Sequence, residues 1–396
     1  MYLNCHSWFS FLYGMLSPEK LLGQAKKYGV ERFVLTDINN TSACLQVSRL
    51  SKNLNMEVIL GIDFRNQLQQ QFIGISKNQD GFEKLNRLLS IHLKSELPFA
   101  DKCDIRADVF IIYPFNPAKN YELDENEFIG INHKDLHYLN LKKWNQYHNK
   151  LVILHPVSLD NKDDYHLHKL LRAIAGNTIL SKIKTQDLAC ADEVFLDESD
   201  FMDEYQAYPY VIENTFKLLE QCNIIDFDFN QHKNKSIIDT HPDKEIAREN
   251  DYEVLEKLAY DGAKVRYKII TQKVKDRLKK ELTLIRSQKF VPYFLINFDI
   301  VSFARKRGFF YIGRGSGANS VVAYCLRITD VDPIELDLYF ERFINVYRKN
   351  PPDFDIDFSW QDRNELIQYI FDKYGLENVC LQATTLLFRQ ILFLES

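Results

Sequence analysis

The chain has 396 residues, 45% hydrophobic and 27% charged, which excludes a disordered or fibrous protein and predicts two soluble globular domains. A net charge of -5 points neither toward nor away from nucleic acid, so any attraction to phosphate has to come from a local patch. The seven cysteines form no CxxC pair, no leader-like segment opens the chain and no apolar run has membrane-spanning length, so a cytoplasmic protein with reduced thiols is expected.

In chain order, Pro18–Tyr28 has helical periodicity through Leu21, Leu22 and Ala25, and Gly29 ends it. Arg32–Thr36 reads as a short buried strand, Ser42–Leu54 as a second helix and Glu57–Phe64 as another strand. Repeated β-α units of this length predict parallel strands with covering helices, in a barrel or an open sheet. Further apolar strands are expected at Asp108–Tyr113 and Leu151–Leu154, with a helix at His166–Ile174. Residues 226–250 are polar and read as a connection, which puts the division between domains near residue 230. A helical tract follows from about Tyr252 to Gln288, broken near Thr271. After it come a strand at Phe309–Ile312, a glycine-rich turn, a helix at Ser320–Leu326, a strand at Pro352–Phe358 and a helix at Arg363–Tyr374.

The turn reads Gly313-Arg-Gly-Ser-Gly-Ala-Asn-Ser320. Glycines allow close approach of backbone to an anion, and the N–H groups at a helix start point toward it. Arg314 can add a charge-assisted contact, and Ser316 and Ser320 are small hydroxyl donors. Its spacing satisfies a GxGxxA fingerprint, but some 300 residues precede it and no Gly-Lys-Ser/Thr closes it, so neither a Rossmann turn nor a Walker A loop is indicated. An ordinary tight turn at a helix start is the competing reading. In Pro351-Pro-Asp-Phe-Asp-Ile-Asp-Phe358 the period of a strand puts Asp353, Asp355 and Asp357 on one face and Phe354, Ile356 and Phe358 on the other. Three like charges in a row call for a positive partner, and a pair of divalent cations for phosphoryl displacement is an economical one. The alternative is a solvated edge face that guards against aggregation. Asp330 and Asp332 read as turn caps, and Arg342 as either a phosphate contact or a surface partner of nearby acids.

Phe290-Val-Pro-Tyr-Phe-Leu-Ile296, Gly313-Arg-Gly-Ser316, Val322-Ala-Tyr324, Ile328-Thr-Asp-Val-Asp-Pro333, Phe340-Glu-Arg-Phe343 and Pro352-Asp-Phe-Asp-Ile-Asp357 together resemble the palm motifs of the bacterial replicative DNA polymerase III alpha subunit, the C-family. The amino-terminal part is similar to that family's PHP (polymerase and histidinol phosphatase) domain through Leu3-Asn-Cys-His-Ser7, Leu35-Thr-Asp-Ile38, Gly61-Ile-Asp63, His168–Ile174 and Ile212-Glu-Asn-Thr215. The resemblance implies an α/β fold: a PHP-like distorted β/α barrel over 1–230, followed by a partial, nucleotidyltransferase-like palm over 231–396 with a leading helical tract. It implies DNA-directed DNA synthesis by a two-metal mechanism. Asp355 and Asp357 would be catalytic ligands of two Mg²⁺ ions, replaceable by Mn²⁺. Gly313, Arg314, Gly315 and Ser316 would hold the triphosphate. The implied partners are a DNA primer-template, deoxynucleoside triphosphates and other replisome subunits, with no membrane.

Departures from the family are also legible. Asn4, Tyr13 and Ile38 stand where the PHP pattern has metal-binding residues, leaving His6, Asp37 and Asp63 as a vestigial set and His6 as a satisfied buried histidine. A PHP metal phosphoesterase is therefore the weakest of three readings. After Ala383 the pattern is lost, so the chain reads as truncated, without the third catalytic carboxylate and incomplete as a polymerase on its own. A non-catalytic nucleic-acid or replisome-binding remnant is the third reading. The basic run Lys264, Arg266, Lys268, Lys273, Lys275, Arg277, Lys279 and Lys280 can track a phosphate backbone or be a solvated helix face.

Overall fold

The computed structural model describes residues 1–95, 97–227, 243–345, 347, 353–375, 378, 379 and 381. The middle of the expected connection, the prolines before Asp353 and the divergent tail from 382 lie outside the described residues. The chain divides into two compact units, Met1–Phe229 and Asn230–Ser396.

The strands of the first unit are β1 (Tyr2–Cys5), β2 (Arg32–Leu35), β3 (Glu57–Asn66), β4 (Gln69–Ser76), β5 (Val109–Pro114), β6 (Glu127–Ile131), β7 (Leu151–Ile153) and β8 (Pro156–Val157). Its helices are α1 (Pro18–Lys27), α2 (Cys44–Leu54), α3 (Gln79–Ser95), α4 (Tyr165–Ala175), α5 (Glu198–Tyr205) and α6 (Pro209–Glu220). The strands form one curled sheet in the order β7-β6-β5-β4-β3-β2-β1-β8. Pairing is parallel except where β4 runs against β3 and β5. Alternate side chains feed two apolar clusters. Tyr2, Phe33, Leu35, Val58 and Leu60 enter one, and Leu3, Val34, Ile59, Ile73 and Ile112 enter the other, which Leu218 and Leu219 of α6 help close. Burial on both faces explains why these strands read as unbroken apolar runs. The Ser17 hydroxyl caps α1 by accepting from Lys20 N–H, and Asn55 takes the left-handed conformation that ends α2.

In the second unit the helical tract is α7 (Lys244–Arg266) and α8 (Gln272–Ser287), and Thr271 caps α8 through Val274 N–H. Then come α9 (Val291–Arg307), the strand β9 (Tyr311–Arg314), the short helix α10 (Val321–Cys325), the strand β10 (Asp355–Phe358) and α11 (Arg363–Tyr374). Pro292 in the first turn of α9 and left-handed Gly308 after its last turn bound that helix. The core gathers Leu255 and Ala259 of α7, Leu278, Leu282 and Ile285 of α8, Phe294 and Val301 of α9, and Phe340 and Phe343. No helix of the described residues is long and apolar enough to cross a membrane.

Candidate functional site

β9 and β10 form an antiparallel pair in the register Arg314↔Asp355, Gly313↔Ile356, Ile312↔Asp357 and Tyr311↔Phe358. Asp353, Asp355 and Asp357 are exposed, while Phe354, Ile356 and Phe358 are half-buried, as strand periodicity requires. Phe354 anchors the approach to the strand. Its ring stacks on Tyr293 at 5.3 Å and lies 4.9 Å from Phe343, and its N–H donates to Tyr293 Oη at 2.8 Å. The acidic face is therefore carried on a rigid apolar base.

Arg314 supplies the positive partner. Its Nε donates to Asp357 Oδ2 at 2.7 Å, and Nη1 stands 3.5 Å from Asp355 Oδ2. All three side chains keep about half of their surface open: 59% for Arg314, 48% for Asp355 and 60% for Asp357. The turn presses against the same carboxylates. Gly315 has φ +77°, and a Cβ there would sit 2.6 Å from Asp355 Oδ2; one on Gly317 would sit 2.5 Å from the Phe354 ring. So Gly315 and Gly317 are required by close packing on the acidic strand itself, while Gly313 is buried against the Ile328 carbonyl, where a Cβ would clash with it. Arg314 remains exposed beside Asp355 and Asp357, Gly315 is exposed against Asp355, and Ser316, next in the turn, is half-buried.

The helix start after the turn corrects the sequence reading. Val321 and Val322 N–H groups donate to the two oxygens of Glu281, both at 3.2 Å, and Ser320 Oγ donates to Glu281 Oε2 at 2.8 Å. A protein carboxylate thus occupies the anion position at α10, and Ser320 is a fully buried cap bonded to Ala323 N–H. Neither is open to phosphate. Arg277 donates to Glu281 at 2.7 Å and also to the carbonyls of Asn319 and Leu338. Glu281 lies on the buried stripe Val274, Leu278, Leu282 and Ile285, which the sequence showed without its being taken as a buried carboxylate.

Much of the basic run is likewise structural. Arg266 donates to Tyr324 and Thr329 carbonyls and to Asp330; Lys264 pairs with Asp261, Lys273 with Asp337 and Lys280 with Glu341. Asp332 caps its turn through Ile334 N–H, as its sequence position suggested.

In the first unit, His6 just after β1, Asp37 just after β2 and Asp63 within β3 are buried together. His6 Nδ1 bonds Ser158 Oγ at 2.8 Å and Nε2 bonds Asp63 Oδ2 at 3.1 Å. Arg65 donates twice to the same Asp63 oxygen, at 3.0 and 2.7 Å, and its guanidinium lies 4.7 Å from the Tyr13 ring. Asp37 accepts from Ser7 N–H and from the hydroxyls of Ser7 and Ser10. This donor set does not fit a metal cluster, because a guanidinium already holds the cation's place and the histidine's two nitrogens are both engaged. Burial opposes ionisation of Asp63, but the Arg65 charge and the His6 contact outweigh it and hold the carboxyl down at about 2.

A group depressed in the folded state stabilises above its unfolded pKa and loses that contribution as pH falls through the folded value. The difference in unfolding free energy between wild type and Asp63→Asn is therefore expected to shrink by about 2 kcal/mol from about pH 5 down to pH 2. Urea titrations across that range measure it. A constant difference would remove Asp63 from the acid transition.

A family model described as the PHP domain matches residues 3–290, more than half of the chain. The chain belongs to the PHP domain family. Within that family its pocket is one in which Arg65, Tyr13 and Ser158 surround His6 and Asp63. A second model, the bacterial DNA polymerase III alpha NTPase domain, matches residues 253–390, which include β9, the glycine turn and β10. Curated relatives agree. An error-prone DNA polymerase of Symbiobacterium thermophilum is 29% identical over 435 residues, covering 97% of this chain and 39% of the relative. The DNA polymerase III subunit alpha of Ureaplasma parvum is 31% identical over 397 residues, covering 96% and 37%, and that of Borreliella burgdorferi 29% over 428 residues, covering 96% and 37%. The chain thus spans less than two-fifths of the length of these relatives.

Proposed function

We propose that this chain is the metal- and nucleotide-holding part of a DNA polymerase, acting in template-directed nucleotidyl transfer by a two-metal mechanism. The reading rests on one juxtaposition: Asp355 and Asp357 on the open face of β10, with Arg314 against both and Gly315 of the following turn packed on Asp355. Asp355 and Asp357 fit a pair of Mg²⁺ ions, replaceable by Mn²⁺, since they are accessible hard oxygen donors on a fixed strand and already attract a cation. Bound ions supply Lewis-acid stabilisation of the attacking and leaving oxygens. The protein's own part is to hold those carboxylates in register on the Phe354 base and to offer Arg314, Gly315 and Ser316 to the triphosphate. Arg314 is suited to both duties, because its exposed guanidinium neutralises the carboxylates now and can turn to phosphate oxygens.

On this reading residues 1–230 are a PHP-like unit whose His6, Asp37 and Asp63 hold no metal cluster, and 231–396 are a partial palm. The partners are a DNA primer-template, deoxynucleoside triphosphates and further replisome subunits, in the cytoplasm. Gly315→Ala is expected to weaken Mn²⁺-supported binding of a fluorescent deoxynucleoside triphosphate about tenfold or more, because a Cβ at positive φ both strains the turn and displaces Asp355. Arg314→Ala is expected to weaken nucleotide binding while leaving metal binding intact. Unchanged nucleotide affinity in both variants would contradict the assignment of the turn.

A further inference from the structure

A histidine–carboxylate cluster in the first unit is not used by anything described above. His133 follows β6, His155 lies between β7 and β8, and Glu204 is near the end of α5. One nitrogen from each ring and one Glu204 oxygen lie within 4.8 Å of one another, the only such group of three among the described residues. Three buried polar atoms here have no hydrogen-bond partner: His133 Nδ1, His155 Nδ1 and Glu204 Oε2. Unpaired buried polar atoms are costly singly and uncommon in groups. A shared cation would satisfy all three at once.

The far nitrogen of each ring faces an oxygen. His155 Nε2 lies 3.0 Å from the Val194 carbonyl, to which only a protonated nitrogen can donate, so the lone pair of the neutral ring is on Nδ1. His133 Nε2 faces Asp192 Oδ2 at 3.6 Å, and Lys134 Nζ holds that carboxylate at 2.7 Å. A carbonyl or carboxylate behind the far nitrogen is what orients an imidazole ligand. Tyr2 and Phe201 each meet the His155 ring edge-on at 5.7 Å and keep it dry, while half-buried His133 and Glu204 leave a way in from solvent. A plain His133–Glu204 ion pair would explain their 3.5 Å approach, yet it leaves His155 Nδ1 without any partner.

We propose that His133, His155 and Glu204 bind one divalent transition metal of the zinc class. Two imidazoles and a carboxylate suit zinc, and three protein ligands leave a position open for water or a substrate oxygen. The site differs from the Asp355–Asp357 pair in unit and in donor chemistry, so either can stand without the other.

The test uses the full chain, stripped with a chelator and titrated with Zn²⁺ against a competing colorimetric chelator, and in parallel with Co²⁺ read by its visible absorption. The expected result is one tight zinc per chain and a Co²⁺ band of low coordination number. His133→Asn and Glu204→Gln, both at partly exposed positions, are each expected to weaken zinc at least tenfold with unchanged circular dichroism, and the Asp355→Asn, Asp357→Asn double variant to retain it. Zinc bound equally by the His133→Asn, Glu204→Gln double variant, or no tight zinc in the wild type, would overturn the proposal.

Discussion

Replacing Asp355 and Asp357 together by Asn is expected to weaken Mn²⁺-supported binding of a deoxynucleoside triphosphate by about a hundredfold or more, with little change in stability. Both side chains are about half exposed, and Asn has nearly the same shape, so the apolar base beneath them stays filled. The folded state loses only exposed pairings with Arg314, of a kind worth about 0–1 kcal/mol. What is lost for ligand binding is larger, since each charged interaction to the ligand is worth about 1.5–3 kcal/mol and the two carboxylates act together. Titrating a fluorescent nucleotide into wild type, each single variant and the double variant measures the effect. Asp353→Asn serves as the control: it shares the exposed face but has no ion pair with Arg314 among the described contacts, and it is expected to bind nearly as wild type.

The second large effect falls on stability. Glu281→Ala is expected to cost about 3–5 kcal/mol, as breaking a buried charge pair does. Glu281 is fully buried and holds Arg277, Ser320 and the first two N–H groups of α10. Truncation leaves all four partners without their acceptor. Burial pushes the Glu281 carboxyl up, against the pull of Arg277 and Ser320. Glu281→Gln keeps an acceptor and is expected to fall between wild type and Ala. Hydrogen exchange along α8 and α10, with urea denaturation, reports the loss where it occurs; exchange unchanged at Val321 and Val322 would show that the cap is not what holds the turn's exit.

The parts of the molecule that follow a simple period were legible in the sequence. The Pro18, Glu57, Leu151 and Arg363 starts coincide with elements of the structure, and the Asp–apolar alternation at 353–358 is the exposed and half-buried alternation observed. β9 begins two residues later than expected, at Tyr311, because its limits are set by pairing with β10 and not by its own apolar content. α9 was not foreseen; apolar residues on all sides of a helix packed against α7 give no one-sided stripe. The glycine turn was read as an anion cradle from its composition, but what fills the following helix start is Glu281, thirty-nine residues before Ser320. Long-range capping of this kind leaves no local signal. Arg65 lies two residues after Asp63 on the same strand, a local signal that was left unread, whereas the convergence of His133, His155 and Glu204 is invisible to spacing, since each comes from a different part of the chain.

The most direct measurement is the number of Mn²⁺ ions bound per chain with a deoxynucleoside triphosphate present, read by the electron paramagnetic resonance of free Mn²⁺, for wild type and for Asp355→Asn, Asp357→Asn. Counting the difference between the two excludes ions held elsewhere on the chain. A difference of two ions is the expected result. Equal binding by wild type and variant would contradict a metal site on β10.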